Sequence, residues 1–308
     1  MSGQAPSHVV LVRPHRFRPN PQTAADNAFQ HEPTRSPAEV AARATAEVDA
    51  LASALRTAGV EVEVFEDRGA TTPDSVFPNN WLSTHADGTV VLYPMFAANR
   101  RAERREDVIA HLQERFEVRR VLDLSGHERE ERHLEGTGAM VLDHLAGIAY
   151  ACRSRRLDPG LFEMACAELG YRPMLFEASD ADGVPVYHTN VLMSVGTEIA
   201  LVGSGMIRDP GRRSQVLASL RGSGREVVEL SEAQVRGFAG NCLELLGDRG
   251  RVLAMSARAA AQLTPAQRRR IERSCPILAV SVPTIEAAGG SVRCMIAGVH
   301  LPPRGSGP

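Results

Sequence analysis

Five times along the chain a polar or glycine-rich turn leads into an apolar strand: FPNNWLSTHADGTVVLYPM, LEGTGAMVLDHLAGIAYACRS, YHTNVLMSVGTEIALVGSGM, FAGNCLELLGDRGRVLAMSA and GGSVRCMIAGVHLP. In most of them a short turn and a second apolar strand follow. With Asn80, Gly138, Asn190, Asn241 and Arg293 as equivalent points, the motif returns roughly every 51 to 58 residues. Amphipathic helices are expected between the hairpins, over about 36–59, 100–116, 159–169, 212–220 and from Thr264 onward. The first opens with Ser36, Pro37 and Glu39, a capping box with proline at the first helical position. After each helix comes a short strand, such as VEVF, VRRVLDL, RPMLFEA, EVVEL or PILAVSV.

A unit of hairpin, helix and strand cannot bury its own apolar face. Five of them can close radially, as propeller blades do, which leaves only short, protected edges. The expected fold is therefore α/β, a five-bladed pseudo-symmetric propeller forming one domain over 1–308. Residues 1–35 would supply an N-terminal strand and a possible lid loop, and 303–308 a frayed tail. Radial closure also predicts that the turns opening the hairpins meet near the axis.

Composition narrows the chemistry. All 35 basic residues are arginine, so Schiff-base chemistry and a phosphate-loop lysine are excluded. Near-balance with 37 acidic residues, and the lack of a basic stripe, argue against a nucleic-acid partner. No 18-residue apolar run is present, and the first dozen residues lack a basic leader, so a cytoplasmic location with no membrane partner is expected. Five cysteines without C-x-x-C spacing indicate neither a disulfide framework nor a zinc site. The run His127, Glu128, Glu130, Glu131, His133 is expected to be a solvated loop rather than a metal site.

On the converging turns lie Asn79 and Asn80, Glu135, His188 and Asn190, Asn241, and Cys294. A cysteine, a histidine and a carboxylate brought together from separate turns make a thiol nucleophile with a proton shuttle. Cys294 follows GGS, whose glycines permit close backbone approach, and the neighbouring Arg293 would favour a thiolate. Cys242 holds the equivalent place in the fourth unit but reads as core. Cys152 would lie near the pocket. Asn20, Thr23, Asn27 and Gln30 belong to a proline-containing stretch that either covers the pocket or pins down the N-terminus.

The repeats, the LEG turn, the histidine turn and the terminal GGSVRC together resemble the guanidino-group-modifying superfamily, which includes arginine deiminases, dimethylarginine hydrolases and amidinotransferases. RPHRFRPNPQTAADNAFQ, FPNNW and RCMIAGVHLP look most like the citrulline utilization hydrolases, or citrulline ureidases. The likeness runs from Val9 to Pro302. It implies the pentein fold and a covalent thiol mechanism that needs no cofactor or metal. It also implies Cys294 as nucleophile, His188 as general acid/base, and Glu135 as the carboxylate orienting the substrate or the histidine. Arg156, in ACRSRR, matches the arginine that grips the α-carboxylate of an amino-acid substrate.

Two departures from the arginine-processing relatives bear on substrate. Asn80 and Asn190 stand where those relatives have aspartates that neutralise a guanidinium. An amide offers a donor and an acceptor to a neutral ureido group, whereas carboxylates there would be buried without compensation. The expected reaction is hydrolysis of citrulline to ornithine, ammonia and carbon dioxide through an S-carbamoyl cysteine. The alternatives are deiminase, amidinotransferase or dimethylarginine hydrolase chemistry on a guanidine and, more distantly, a non-enzymatic binding pentein. A homo-oligomer is compatible with the sequence.

Overall fold

The structure is a computed structural model that describes residues 3–305. It contains five three-stranded sheets, each an antiparallel pair extended by a parallel strand. Four follow chain order: β3 (Leu82–Thr84), β4 (Thr89–Leu92), β5 (Arg120–Asp123); β6 (Met140–Asp143), β7 (Ile148–Cys152), β8 (Arg172–Phe176); β9 (Met193–Val195), β10 (Ile199–Val202), β11 (Glu226–Glu229); and β12 (Leu243–Gly247), β13 (Gly250–Ser256), β14 (Ile277–Val280).

The fifth sheet joins the two ends of the chain. β15 (Ala297–Val299) pairs antiparallel with β1 (His8–Pro14), with Val9 opposite Gly298. β1 in turn pairs parallel with β2 (Glu61–Asp67) in an unbroken seven-residue register. The fifth repeat therefore finds its second strand, helix and third strand at the N-terminal end. This is the five-bladed pseudo-symmetric α/β-propeller expected from the repeats.

The tight antiparallel turns and the helical crossovers both follow from local sequence. Within each sheet the parallel strand is reached through a helix, the connection that parallel pairing requires. The helix Pro37–Thr57 is set by its Ser36/Glu39 capping box, and it buries Val40, Ala44, Val48, Leu51, Ala52 and Leu55 as one stripe. Helices also occupy Pro159–Leu169, Pro210–Gly222 and Pro265–Ser274.

The helix expected over 100–116 is split. A 3-10 turn covers Ala98–Glu103, Arg104 is extended, and the α-helix begins only at Glu106. Arg100 is turned inward onto Glu103, and Arg104 reaches Glu128, so the break places two arginines on two buried or half-buried carboxylates. Glu128 is thus not freely solvated, contrary to the reading of its charge run; it also accepts from the Met95 amide. Of the tail, Pro303 bridges to Phe116 and the Arg304 amide donates to the Arg115 carbonyl, so these residues are docked rather than frayed. Residues 306–308 lie outside the described residues. Among the described residues no helix is long and apolar enough to cross a membrane.

Candidate active site

The five inner strands β3, β6, β9, β12 and β15 each begin just after one of the repeat turns, and these turns meet at one end of the axis. Asn80 closes the 3-10 turn Pro78–Asn80, Glu135 precedes the short helix Gly136–Ala139, and His188 precedes the helix Thr189–Leu192. Cys294 sits in the turn before β15, its amide donating to the Ser291 carbonyl. Glycine makes this convergence possible. A Cβ on Gly138 would stand 2.3 Å from the Asn80 side chain and 2.8 Å from the His188 ring, too close for any other residue.

Cys294, His188, Asn80 and Arg156 line one cavity together with Thr23, Asn27, Asp74, Arg100, Tyr187 and the backbone of Gly289 and Gly290. Its volume is about 10 Å³, where a single water needs roughly 10–15 Å³. The site is thus closed over by the 20–30 segment. Thr23 and Asn27 form part of the wall, while Asn20 is tied to Asp74 at 2.8 Å and Gln30 to Thr23.

Glu135 is the hub. It is fully buried, with Oε2 2.8 Å from His188 Nε2, 3.4 Å from Arg156 Nη1 and 3.5 Å from Arg100 Nη1, while Oε1 accepts from the Phe96 amide. Burial alone would raise its pKa, but Arg156, His188 and Arg100 outweigh it and hold the carboxyl well below the usual range. An ionised Glu135 can only accept, so the proton of the neutral imidazole is on Nε2 and the Nδ1 lone pair is free. Burial draws His188 down to about 4, only partly offset by Glu135, so the ring is neutral at pH 7.

The Cys294 sulfur accepts from two amides, Asn241 Nδ2 at 3.2 Å and Asn190 Nδ2 at 3.4 Å. Asn241 also takes the Arg293 amide on its Oδ1 and donates to the Asn190 carbonyl, locking three turns together. The Arg293 guanidinium does not join this group; it lines a second cavity beyond the turns. Asn190 Oδ1 is buried without a partner among the described residues. Asn80, with its amide oriented by its surroundings, accepts from Arg100 Nη1 at 2.8 Å and donates to Asn79 Oδ1 at 3.0 Å.

Arg156 is present in the cavity but engaged. Its Nε and Nη2 fork onto Asp26 at 3.0 and 2.9 Å, and its guanidinium lies 4.8 Å from the Tyr187 ring centre. Cys152 does not reach the cavity: its thiol donates to the Val186 carbonyl within the core, and burial pushes it up to about 11. Cys242 is likewise buried, against Ser194.

Sequence reasoning did not single out Arg100, Asp26, Asp74 or Tyr187, and it left Asn241 without a role. Arg100 was masked by a polar run read as one helix, ANRRAERR. For Asp26 and Asp74 nothing in the local pattern announces a buried carboxylate.

The family model for eukaryotic N,N-dimethylarginine dimethylhydrolase matches residues 13–301. The chain belongs to this family. It places the protein in the guanidino-modifying pentein superfamily and supports a hydrolase acting on carbon–nitrogen bonds. No curated protein matches the chain in sequence. Among solved structures, the substrate-bound N-terminal domain of ArgZ, an arginine dihydrolase from the ornithine–ammonia cycle in Cyanobacteria, superposes with a TM-score of 0.73 at 15% identity, covering 96% of this chain and 99% of that one. The present chain spans only 40% of full-length ArgZ. A dimethylarginine dimethylaminohydrolase adduct with 4-chloro-2-hydroxymethylpyridine superposes at 0.64, with 15% identity, 97% of this chain and 100% of that one. At these identities the likeness speaks for the shared fold.

Proposed function

We propose that this member of the dimethylarginine dimethylhydrolase family hydrolyses the ureido group of citrulline, with Cys294 as nucleophile. The observation that carries the reading is the setting of the Cys294 sulfur, held between the amides of Asn190 and Asn241 and in the same cavity as His188, whose Nε2 is held by Glu135 behind it. Amides impose no charge on the group that the sulfur attacks, and the unpartnered Asn190 Oδ1 is an acceptor available to a ureido N–H.

His188 starts neutral. Its free Nδ1 takes the thiol proton as sulfur attacks the ureido carbon, then delivers that proton to the departing ornithine nitrogen, leaving a carbamoyl thioester. The imidazole next removes a proton from water, which adds to the thioester carbon. The thiol is released, and the resulting carbamate breaks down to ammonia and carbon dioxide. Glu135 holds Nε2 and stabilises the transient imidazolium. Arg156 receives the substrate α-carboxylate once Asp26 has moved away, and Asn80 keeps Arg100 in place beside Glu135.

A guanidine substrate is the second reading, favoured by the family itself and by the surplus of carboxylates around the cavity: Glu135, Asp74, Glu103 and Asp26. Incubating the purified protein separately with citrulline and with arginine, and quantifying products, decides between them. Ornithine and ammonia from citrulline are expected. Citrulline accumulating from arginine, with citrulline itself inert, would overturn the ureido reading.

A further inference from the structure

The inner strands run from the catalytic turns to a second cavity at the other end of the axis. Its wall takes residues from all five inner strands: Thr84, Leu142, Val195, Leu243 and Gly298. It measures about 50 Å³, enough for a few waters on a scale where one needs roughly 10–15 Å³.

The charge lining this chamber is of one sign. Arg293 faces it, with Nη1 on the Ile296 carbonyl at 3.0 Å, and no carboxylate is among the groups acting on the guanidinium. His144 and His300 also line it, their ring centres 4.0 Å apart, with His85 behind at 6.3 Å from His144. His144 Nδ1 meets the Tyr171 hydroxyl at 2.7 Å, and His85 meets Ser83 Oγ at 2.9 Å. The remaining polar lining is Gln4, Ser83, Thr84, Thr137 and Ser194, all neutral, with the Cys242 thiol, whose pKa burial raises. Burying a guanidinium without a carboxylate is costly, and of the three imidazoles only His85 faces one, Asp87; each neutral ring offers a single N–H and gains a second if added negative charge favours its protonation.

We propose that this rear chamber binds a small inorganic oxyanion of the phosphate or sulfate class. The guanidinium supplies a forked donor matched to such an anion, and the paired imidazoles each supply a further donor once protonated. A cation is disfavoured by Arg293, and among the described residues no three His, Cys, Asp or Glu groups are placed to hold a metal. The volume excludes a nucleotide.

The test is to titrate the wild-type protein with inorganic phosphate against sodium chloride at matched ionic strength. Calorimetry and the imidazole nitrogen resonances give the readouts. One saturable site per chain is expected, with the His144 and His300 signals shifting toward the protonated form and those of exposed His31 unmoved. Arg293→Gln should weaken binding at least tenfold. Absence of saturation, equal response of His31, or undiminished binding by Arg293→Gln would overturn the proposal. Because the resonances are read in the wild-type protein, poor folding of the variant leaves the test intact.

Discussion

At the Cys294 end of the axis two buried guanidinium groups, Arg100 and Arg156, meet Glu135, Glu103, Asp74 and Asp26; at the other end Arg293 meets no carboxylate, and of the three imidazoles only His85 faces one, Asp87. The same five strands join both ends, yet one pairs its guanidinium groups with carboxylates and the other does not. Such pairing lets ions be buried in fixed geometry, which is what a reacting group needs from its surroundings. The unbalanced end instead keeps its imidazoles neutral and leaves its one cation to water or to a ligand. The front carboxylates come from the segments that connect strands and from the N-terminal segment, whereas the rear imidazoles directly follow the inner strands, and only Arg293 reaches the rear chamber from a front turn.

The contrast can be broken from either end. Cys294→Ala should lower citrulline turnover by about 10⁴-fold or more while leaving the circular dichroism spectrum unchanged; retained turnover would remove the thiol from the mechanism. His188→Ala should cost about 10² to 10⁴ in rate, measured as ornithine release. Glu135→Gln removes the carboxylate shared by two arginines and a histidine, and urea denaturation should register a loss of about 3–5 kcal/mol.

Acid sharpens the comparison further. Burial lowers His85 and His188 to about 4 and His300 to about 3, with His144 also well below its ordinary value. The unfolded chain takes up protons on these groups from about pH 6.5 downward, while the folded chain does so only near 4 and below. Stability should therefore be full above pH 6.5 and decline as pH falls toward 4. His300→Gln should make that decline shallower without altering turnover at pH 8, and a decline of unchanged steepness would remove the rear histidine from the acid response. The smallest effect is expected at the lid: Asp26→Asn should lower KM for citrulline severalfold by freeing Arg156, whereas a raised KM would mean that Asp26 holds Arg156 ready for substrate.

Much of the front end could be read in the chain because the repeat gives it a register. Once Asn80, Gly138, Asn190, Asn241 and Arg293 are equivalent, Cys294, His188 and Glu135 must fall on converging turns. Arg100 and Asp26 escape this logic because they come from segments between repeats, where an arginine in a polar run looks solvent-facing. The rear chamber escapes it for another reason. His85, His144 and His300 lie far apart in sequence, and each alone reads as an ordinary strand-end polar residue.

The pairing of β15 with β1 ties the proposed nucleophile to chain order. β1 and β2 precede the other four sheets in the chain, but the inner edge of their sheet stays open until residues 297–299 arrive, just after Cys294. A nascent chain that stops before Cys294 has neither a closed ring nor this thiol, so it holds the imidazole and carboxylate in an unfinished molecule. In chain order the arrival of this thiol and the closure of the ring thus nearly coincide.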